Sequence, residues 1–195
     1  MNGLSKPKYL TTESMTRIAL MSAISTVLGF FPQIKMVFFA PWLKLDFTYL
    51  PMLLTGFSMG FIPGLIVLTI NNLIQLIATE SAGVGQLADM IMGICMLLPT
   101  TMIYKTKRTR KHALIGMLFG VIAMVSISVP TNQFLLFPFY SKMSGQYVID
   151  YLNAHPLILL TAVIPFNLLK GIVVCVITYF IYKPLSHFLK KGLKA

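Results

Sequence analysis

The sequence predicts an all-α integral membrane protein, and three observations support that class. Of the 195 residues, 56% are hydrophobic and only 11% are charged, whereas a soluble domain typically has about 25% charged residues. The mean hydropathy is +0.80. Most of the 16 basic residues lie beside the ends of apolar segments, as in helical membrane proteins. We therefore expect a single integral membrane domain over residues 1–195, and the net charge of +11 does not indicate a nucleic-acid partner.

Six apolar segments are predicted to form transmembrane helices in the lipid bilayer. Their approximate bounds are 14–31, 49–63, 64–79, 86–104, 113–139 and 156–182. The second and third segments are short, and the glycines and proline of residues 60–64 predict a tight turn between them.

The charges between these segments predict the orientation. An even number of spans places both termini on one side, together with the basic loop at 105–112. Basic residues mark the cytoplasmic side of a membrane, so we expect both termini to be cytoplasmic. The opposite side then receives Asp46, Glu80 and Asp150.

The first span carries Ala19 and Ala23, four residues apart on one helical face. Small residues at this spacing let helix backbones approach closely in lipid. Gly116 and Gly120 repeat the pattern in the fifth span, and internal packing explains most such faces.

The connection at 32–48 is unusually apolar for a loop and includes Trp42. It is either a lid that caps a binding site or a segment packed among lipid headgroups.

The sixth span contains the most unusual polar residues. Asn167 and Lys170 follow Pro165 within an apolar segment, and a spacing of three residues places them on one helical face. An ionisable side chain costs about 2.5–3.5 kcal/mol at the centre of a membrane helix, and it usually faces the bundle interior or a hydrated cavity. A lysine that extends to the membrane surface is the alternative. The near-central position of Lys170 favours a functional role.

The other polar residues at membrane depth are mainly amides, including Asn132 and Gln133 in the fifth span and Gln86 at the start of the fourth. Amides supply both donors and an acceptor, which suits a neutral, flat ligand. The sequence contains no HExxH, GxSxG or Walker-type motif. These features indicate a small-molecule binding protein that is not an enzyme and depends on a partner for energy.

Four motifs resemble the substrate-binding (S) components of energy-coupling factor (ECF) transporters. They are Leu43–Thr48 with Pro51, Gly85–Asp89 with Gly93, Asn132–Pro138 with Tyr140, and Pro165–Gly171. They occur in the family's order, and the resemblance spans nearly the whole chain. Asp89 stands where the family motif has asparagine, so no role is carried over to that position.

Within the family, the chain most resembles the riboflavin-specific members. The resemblance implies riboflavin as transported substrate, with no cofactor, and a 32–48 loop that caps the site. Asn132, Asn167 and Lys170 would contact its polar atoms. The remaining predicted substrate-site residues are Leu43, Asp46, Thr48, Gly85, Gln86 and Phe134.

The same resemblance implies that Ala19 and Ala23 dock a transmembrane coupling protein, itself carried on two cytoplasmic ATPases. Related members that transport folate or thiamine share the six-span frame. The alternatives are therefore another vitamin or flavin, such as FMN, folate or thiamine, or a membrane assembly protein that transports nothing.

Overall fold

The computed structural model describes residues 11–30, 34–35, 43–79, 82–144, 150 and 152–190. These form α1 (Thr12–Phe30), a strand pair β1 (Ile34–Lys35) and β2 (Lys44–Leu45), α2 (Tyr49–Met59), α3 (Phe61–Gln75), α4 (Val84–Thr106), α5 (Arg110–Thr131), α6 (Phe137–Ser144) and α7 (Ile164–Lys190). The all-α prediction is confirmed apart from the two-residue strands, which pair antiparallel between α1 and α2. Trp42 lies outside the described residues.

Among the described residues, four helical segments are long and apolar enough to cross a membrane. They are Phe61–Ala78, Val84–Thr106, Arg110–Met143 and Leu159–Tyr182. The first of them is α3 extended by a 3₁₀ turn, Leu76–Ala78. The apolar helix α2 is shorter, at 11 residues, and α1 is not among the four although it has 19 residues. The membrane class is thus supported. The sequence predicts six crossings, which is more than these four segments.

The turn between α2 and α3 consists of one residue, Gly60. Its backbone has φ 104°, in a region that side-chain-bearing residues rarely adopt. The predicted turn at 60–64 is therefore correct in place but shorter than expected. Pro63 and Gly64 belong to the first turn of α3, where proline is tolerated because the first N–H groups of a helix have no intrahelical partner.

Helices α4 and α5 pack closely along the small-residue face of α5. A Cβ added at Gly116 would lie 2.7 Å from the backbone oxygen of Thr100, and one at Gly120 would lie 2.7 Å from that of Met96. The Thr100 hydroxyl donates to the carbonyl of Gly116 at 3.1 Å. The prediction that these glycines serve internal helix packing therefore agrees with their contacts.

Two π-helical turns interrupt the last long helices at similar places. Asn132–Leu136 joins α5 to α6, and Leu159–Val163 leads into α7. A proline follows each turn, at positions 138 and 165. Proline has no N–H, and its ring clashes with the carbonyl four residues earlier, which lies inside the π turn in both cases. The wider turn relieves this clash, and such turns often occur at functional sites.

Candidate functional site

Lys170 is buried inside the helix bundle and is paired with two carboxylates. It lies on α7, is 5% exposed, and its Nζ is 3.1 Å from Oδ2 of Asp46 and 3.4 Å from Oδ1 of Asp89. The same Nζ lies 4.4 Å from the ring centroid of Tyr49, within the range of a cation–π contact. The ammonium therefore does not extend to the membrane surface.

Asp46 reaches Lys170 from the segment between β2 and α2. Its Oδ1 accepts hydrogen bonds from the backbone N–H of Thr48 at 3.1 Å and from the Thr48 hydroxyl at 2.6 Å. The backbone carbonyl of Thr48 in turn accepts from the Ser25 hydroxyl on α1 at 2.9 Å. These bonds leave Oδ2 of Asp46 directed at the ammonium and attach the start of α2 to α1.

Asp89 reaches Lys170 from the second turn of α4, and neighbouring helices fix its position. The Tyr49 hydroxyl on α2 donates to its backbone carbonyl at 2.8 Å, and the Asn72 amide on α3 donates to its Oδ2 at 3.3 Å. The side chains of Asp46 and Asp89 are 17% and 21% exposed, against 7% for Lys170. The cluster thus brings together two partly exposed carboxyl groups and one buried ammonium.

Asn132 begins the first π turn, Asn167 lies in the first turn of α7 after the second, and both are buried. The side-chain nitrogen of Asn132 donates to the carbonyl of Ser128, and that of Asn167 donates to the carbonyl of Val163, each at 2.8 Å. Within the described part of the chain, the buried Oδ1 of Asn132 has no hydrogen-bond partner. An unpaired buried acceptor costs about 1–3 kcal/mol, so a ligand N–H that reached this oxygen would stabilise the site.

The other predicted substrate-site residues lie in three different environments. Leu43 is buried in an apolar cluster with Leu45 and Phe166, and Thr48 is buried next to Asp46. Gly85 and Gln86 lie in the first turn of α4, where Gln86 accepts a hydrogen bond from the Thr79 hydroxyl at 2.8 Å. Phe134 is 79% exposed in the π turn, so in this conformation it contributes little buried surface to any site.

The predicted docking pair, Ala19 and Ala23, lies on the outer face of α1. Both are exposed, and exposed Leu20, Ile24 and Val27 continue this surface. The opposite face of α1 is buried against the bundle. The exposed face of α1 is therefore apolar and includes two small residues.

A cavity of about 360 Å³ lies between the π turn Asn132–Leu136, α6 and the residues that precede α7. It is lined by Gln133, Phe137, Pro138, Ser141, Leu152, His155, Pro156, Ile158 and Leu159. This lining does not include Lys170, Asn132 or Asn167. Phe137 and Ile158 belong to the same apolar cluster as Leu43, so the cavity and the predicted loop residues border a common core.

The sequence did not assign roles to Asp89, Tyr49 or Asn72, although the structure places all three at the ion-pair cluster. One signal was present in the sequence. A lysine at membrane depth needs a counter-charge, and Asp89 is an acidic residue within an apolar span. Tyr49 gave no comparable signal, because aromatic residues near helix ends are common in membrane proteins.

Comparison with known proteins agrees with this architecture. The family model "ECF transporter, substrate-specific component" matches residues 13–182. A solved structure described as the S component of a bacterial ECF transporter superimposes with a TM-score of 0.76 at 32% identity, covering 91% of this chain and 97% of the other. The chain therefore belongs to the substrate-specific components of ECF transporters, which bind a transported substrate and are not enzymes.

Named relatives in this family share one substrate in their names. The riboflavin transporter RibU of Staphylococcus aureus is 33% identical over 98% of this chain and the whole of the relative. The RibU of Streptococcus thermophilus is 28% identical over 92% of this chain and 86% of the relative. The riboflavin transporter FmnP of Bacillus subtilis is 29% identical over 77% of this chain and 80% of the relative.

Proposed function

We propose that this chain is the riboflavin-binding S component of an ECF transporter and serves vitamin B2 uptake. The similarity to proteins named riboflavin transporters extends over almost the full chain. Family membership also favours transport over the alternative of a membrane assembly protein. The observation that carries the proposal is a buried ammonium, Lys170, on the same helical face as a buried carboxamide, Asn167.

The Lys170 ammonium and the Asn132 carboxamide suit the polar edge of an isoalloxazine ring. An ammonium has three N–H donors. Among the described residues, Lys170 directs them at two carboxylates, which leaves one donor for a ring or ribityl oxygen. The unpaired Oδ1 of Asn132 would accept the imide N–H. The walls of the binding site or secondary contacts to the substrate would come from Leu43, Thr48, Gly85 and Gln86. Most small-ligand sites combine apolar walls with a few placed polar groups in this way.

The transport cycle would depend on partners. The chain would act as a single membrane domain with six crossings and cytoplasmic termini in the bacterial cell membrane. A coupling protein would dock on Ala19 and Ala23, and two ATPases would supply energy. Residues 32–48 would cap the site from outside. The exposure of both alanines supports this docking surface.

Ligand identity is tested by analysing what co-purifies with the detergent-solubilised protein. Mass spectrometry should detect riboflavin, and titration of the stripped protein should quench flavin fluorescence saturably. A panel of riboflavin, FMN, folate and thiamine separates the alternatives by affinity. Preference for folate or thiamine, or no binding of any flavin, would refute the riboflavin assignment.

The role of Asn132 is tested by Asn132→Ala. We expect about a 5- to 50-fold loss of riboflavin affinity, in keeping with the loss of one or two hydrogen bonds. Asn153→Ala is the matched control, because Asn153 is an exposed asparagine elsewhere in the chain. Equal affinities for the two variants would remove Asn132 from the site.

A further inference from the structure

Asp89 differs from Asp46 in which elements of the fold set its position. Tyr49 and Asn72, from two other helices, hold its carbonyl and its Oδ2. Asp46 is bound through Thr48 in the irregular segment that follows β2. The helix bundle therefore supplies one carboxylate, and a connecting segment supplies the other.

The Lys170 ammonium depends on these carboxylates for its position. A lysine side chain has many rotamers, and a single partner on an irregular segment would leave several of them accessible. Asp89 Oδ1 and the Tyr49 ring restrict the ammonium from the sides of α4 and α2. Because Tyr49 also donates to the carbonyl of Asp89, these two constraints on Lys170 belong to one connected network.

We propose that Asp89 is a positioning residue for the substrate-binding ammonium of Lys170. It need not touch the substrate. Asp89 keeps the ammonium oriented while a substrate atom replaces Asp46, or Asp46 replaces a substrate atom, as acceptor for the other N–H donors of Lys170. Tyr49 and Asn72 in turn hold Asp89 in place. This inference rests on the proposed function, in which Lys170 donates to riboflavin.

A double-mutant cycle on riboflavin affinity tests the proposal. Asp89→Asn keeps the shape of the side chain and removes its charge, and Lys170→Met removes the ammonium. We expect Asp89→Asn to weaken riboflavin binding about 5- to 30-fold in the wild-type background. In the Lys170→Met background it should change affinity by less than about 2-fold, because residues that act through one another are not additive.

A merely structural role for Asp89 would give a different pattern. The same fold-loss in both backgrounds, or no loss in either, would overturn the proposal. Asp150→Asn, which removes an exposed carboxyl group, is the control and should leave affinity unchanged. Failure of the wild-type protein to bind riboflavin would instead refute the proposed function, so the two failures are distinguishable.

A second variant keeps the test decisive if Asp89→Asn does not fold. Asn72→Ala leaves all three charges and removes the amide that holds Oδ2 of Asp89. We expect a smaller loss of affinity, about 2- to 5-fold, which again disappears in the Lys170→Met background. Persistence of the loss in that background would contradict the proposed chain of contacts from Asn72 through Asp89 to Lys170.

Discussion

Removing the buried ammonium should destabilise the ligand-free protein, and Lys170→Met is the suitable change. Methionine is a good helix former with a flexible apolar chain, so it can still pack on the Tyr49 ring. The variant loses contacts of 3.1 and 3.4 Å to two carboxylates and leaves these groups close together without a counter-charge. Breaking a fully buried pair costs about 3–5 kcal/mol.

The magnitude is smaller here because both carboxylate side chains are about one-fifth exposed, and water screens their repulsion. We expect a loss of about 2 kcal/mol, which corresponds to a fall of about 4–8 °C in the unfolding midpoint for a chain of this size. A thiol-reactive dye can follow unfolding in detergent, because Cys95 and Cys175 are free and partly buried.

A matched control and a second-site change make this result interpretable. Glu13→Gln removes a half-exposed partner of Arg17 on the same helix, and it should cost no more than about 0.5 kcal/mol. Adding Asp89→Asn to Lys170→Met should recover part of the lost stability, because it relieves the repulsion between carboxylates. A midpoint for Lys170→Met that matched the Glu13→Gln control would refute the reasoning.

Three further outcomes follow from packing and exposure. Gly120→Ala should lower stability by about 1–3 kcal/mol, measured by the same unfolding assay, because the new Cβ would lie 2.7 Å from the Met96 carbonyl oxygen. Gly60→Ala should cost about 1 kcal/mol through backbone strain alone, since no atom of a described residue other than its chain neighbours lies within 4 Å of the added Cβ, and an unchanged midpoint would contradict this. If a coupling protein docks as proposed, Ala19→Leu with Ala23→Leu should abolish co-purification with the proposed coupling protein and ATPases while riboflavin affinity stays at the wild-type level; retained co-purification would show that the partner docks elsewhere.

Much of the helical framework could be predicted from local sequence features. Hydropathy placed α1 and α4 within about two residues of their observed ends, and glycine chemistry located the turn at Gly60. The π turns could not be predicted, because a widened turn leaves the apolar composition unchanged. The prolines at positions 138 and 165 marked the affected helices, but a proline can equally kink a helix or be absorbed near its end.

The candidate site was predicted only in part, because some of its contacts join residues that are far apart in sequence. The shared face of Asn167 and Lys170 follows from helical spacing, and both are buried as expected. The partners of Lys170 are 124 and 81 residues away in sequence, and no local pattern encodes such contacts. For Phe134 the sequence suggested a contact that the structure does not support. This aromatic residue, two positions after Asn132, was expected in the site but is mostly exposed.

The role of the buried ammonium in substrate binding is tested most directly by titrating the wild-type protein and Lys170→Met with riboflavin side by side in detergent. We expect saturable binding by the wild type and an affinity about 10- to 100-fold weaker in the variant, in keeping with loss of a charged hydrogen bond. Equal affinities in the two proteins would contradict the claim that the buried ammonium belongs to the substrate site.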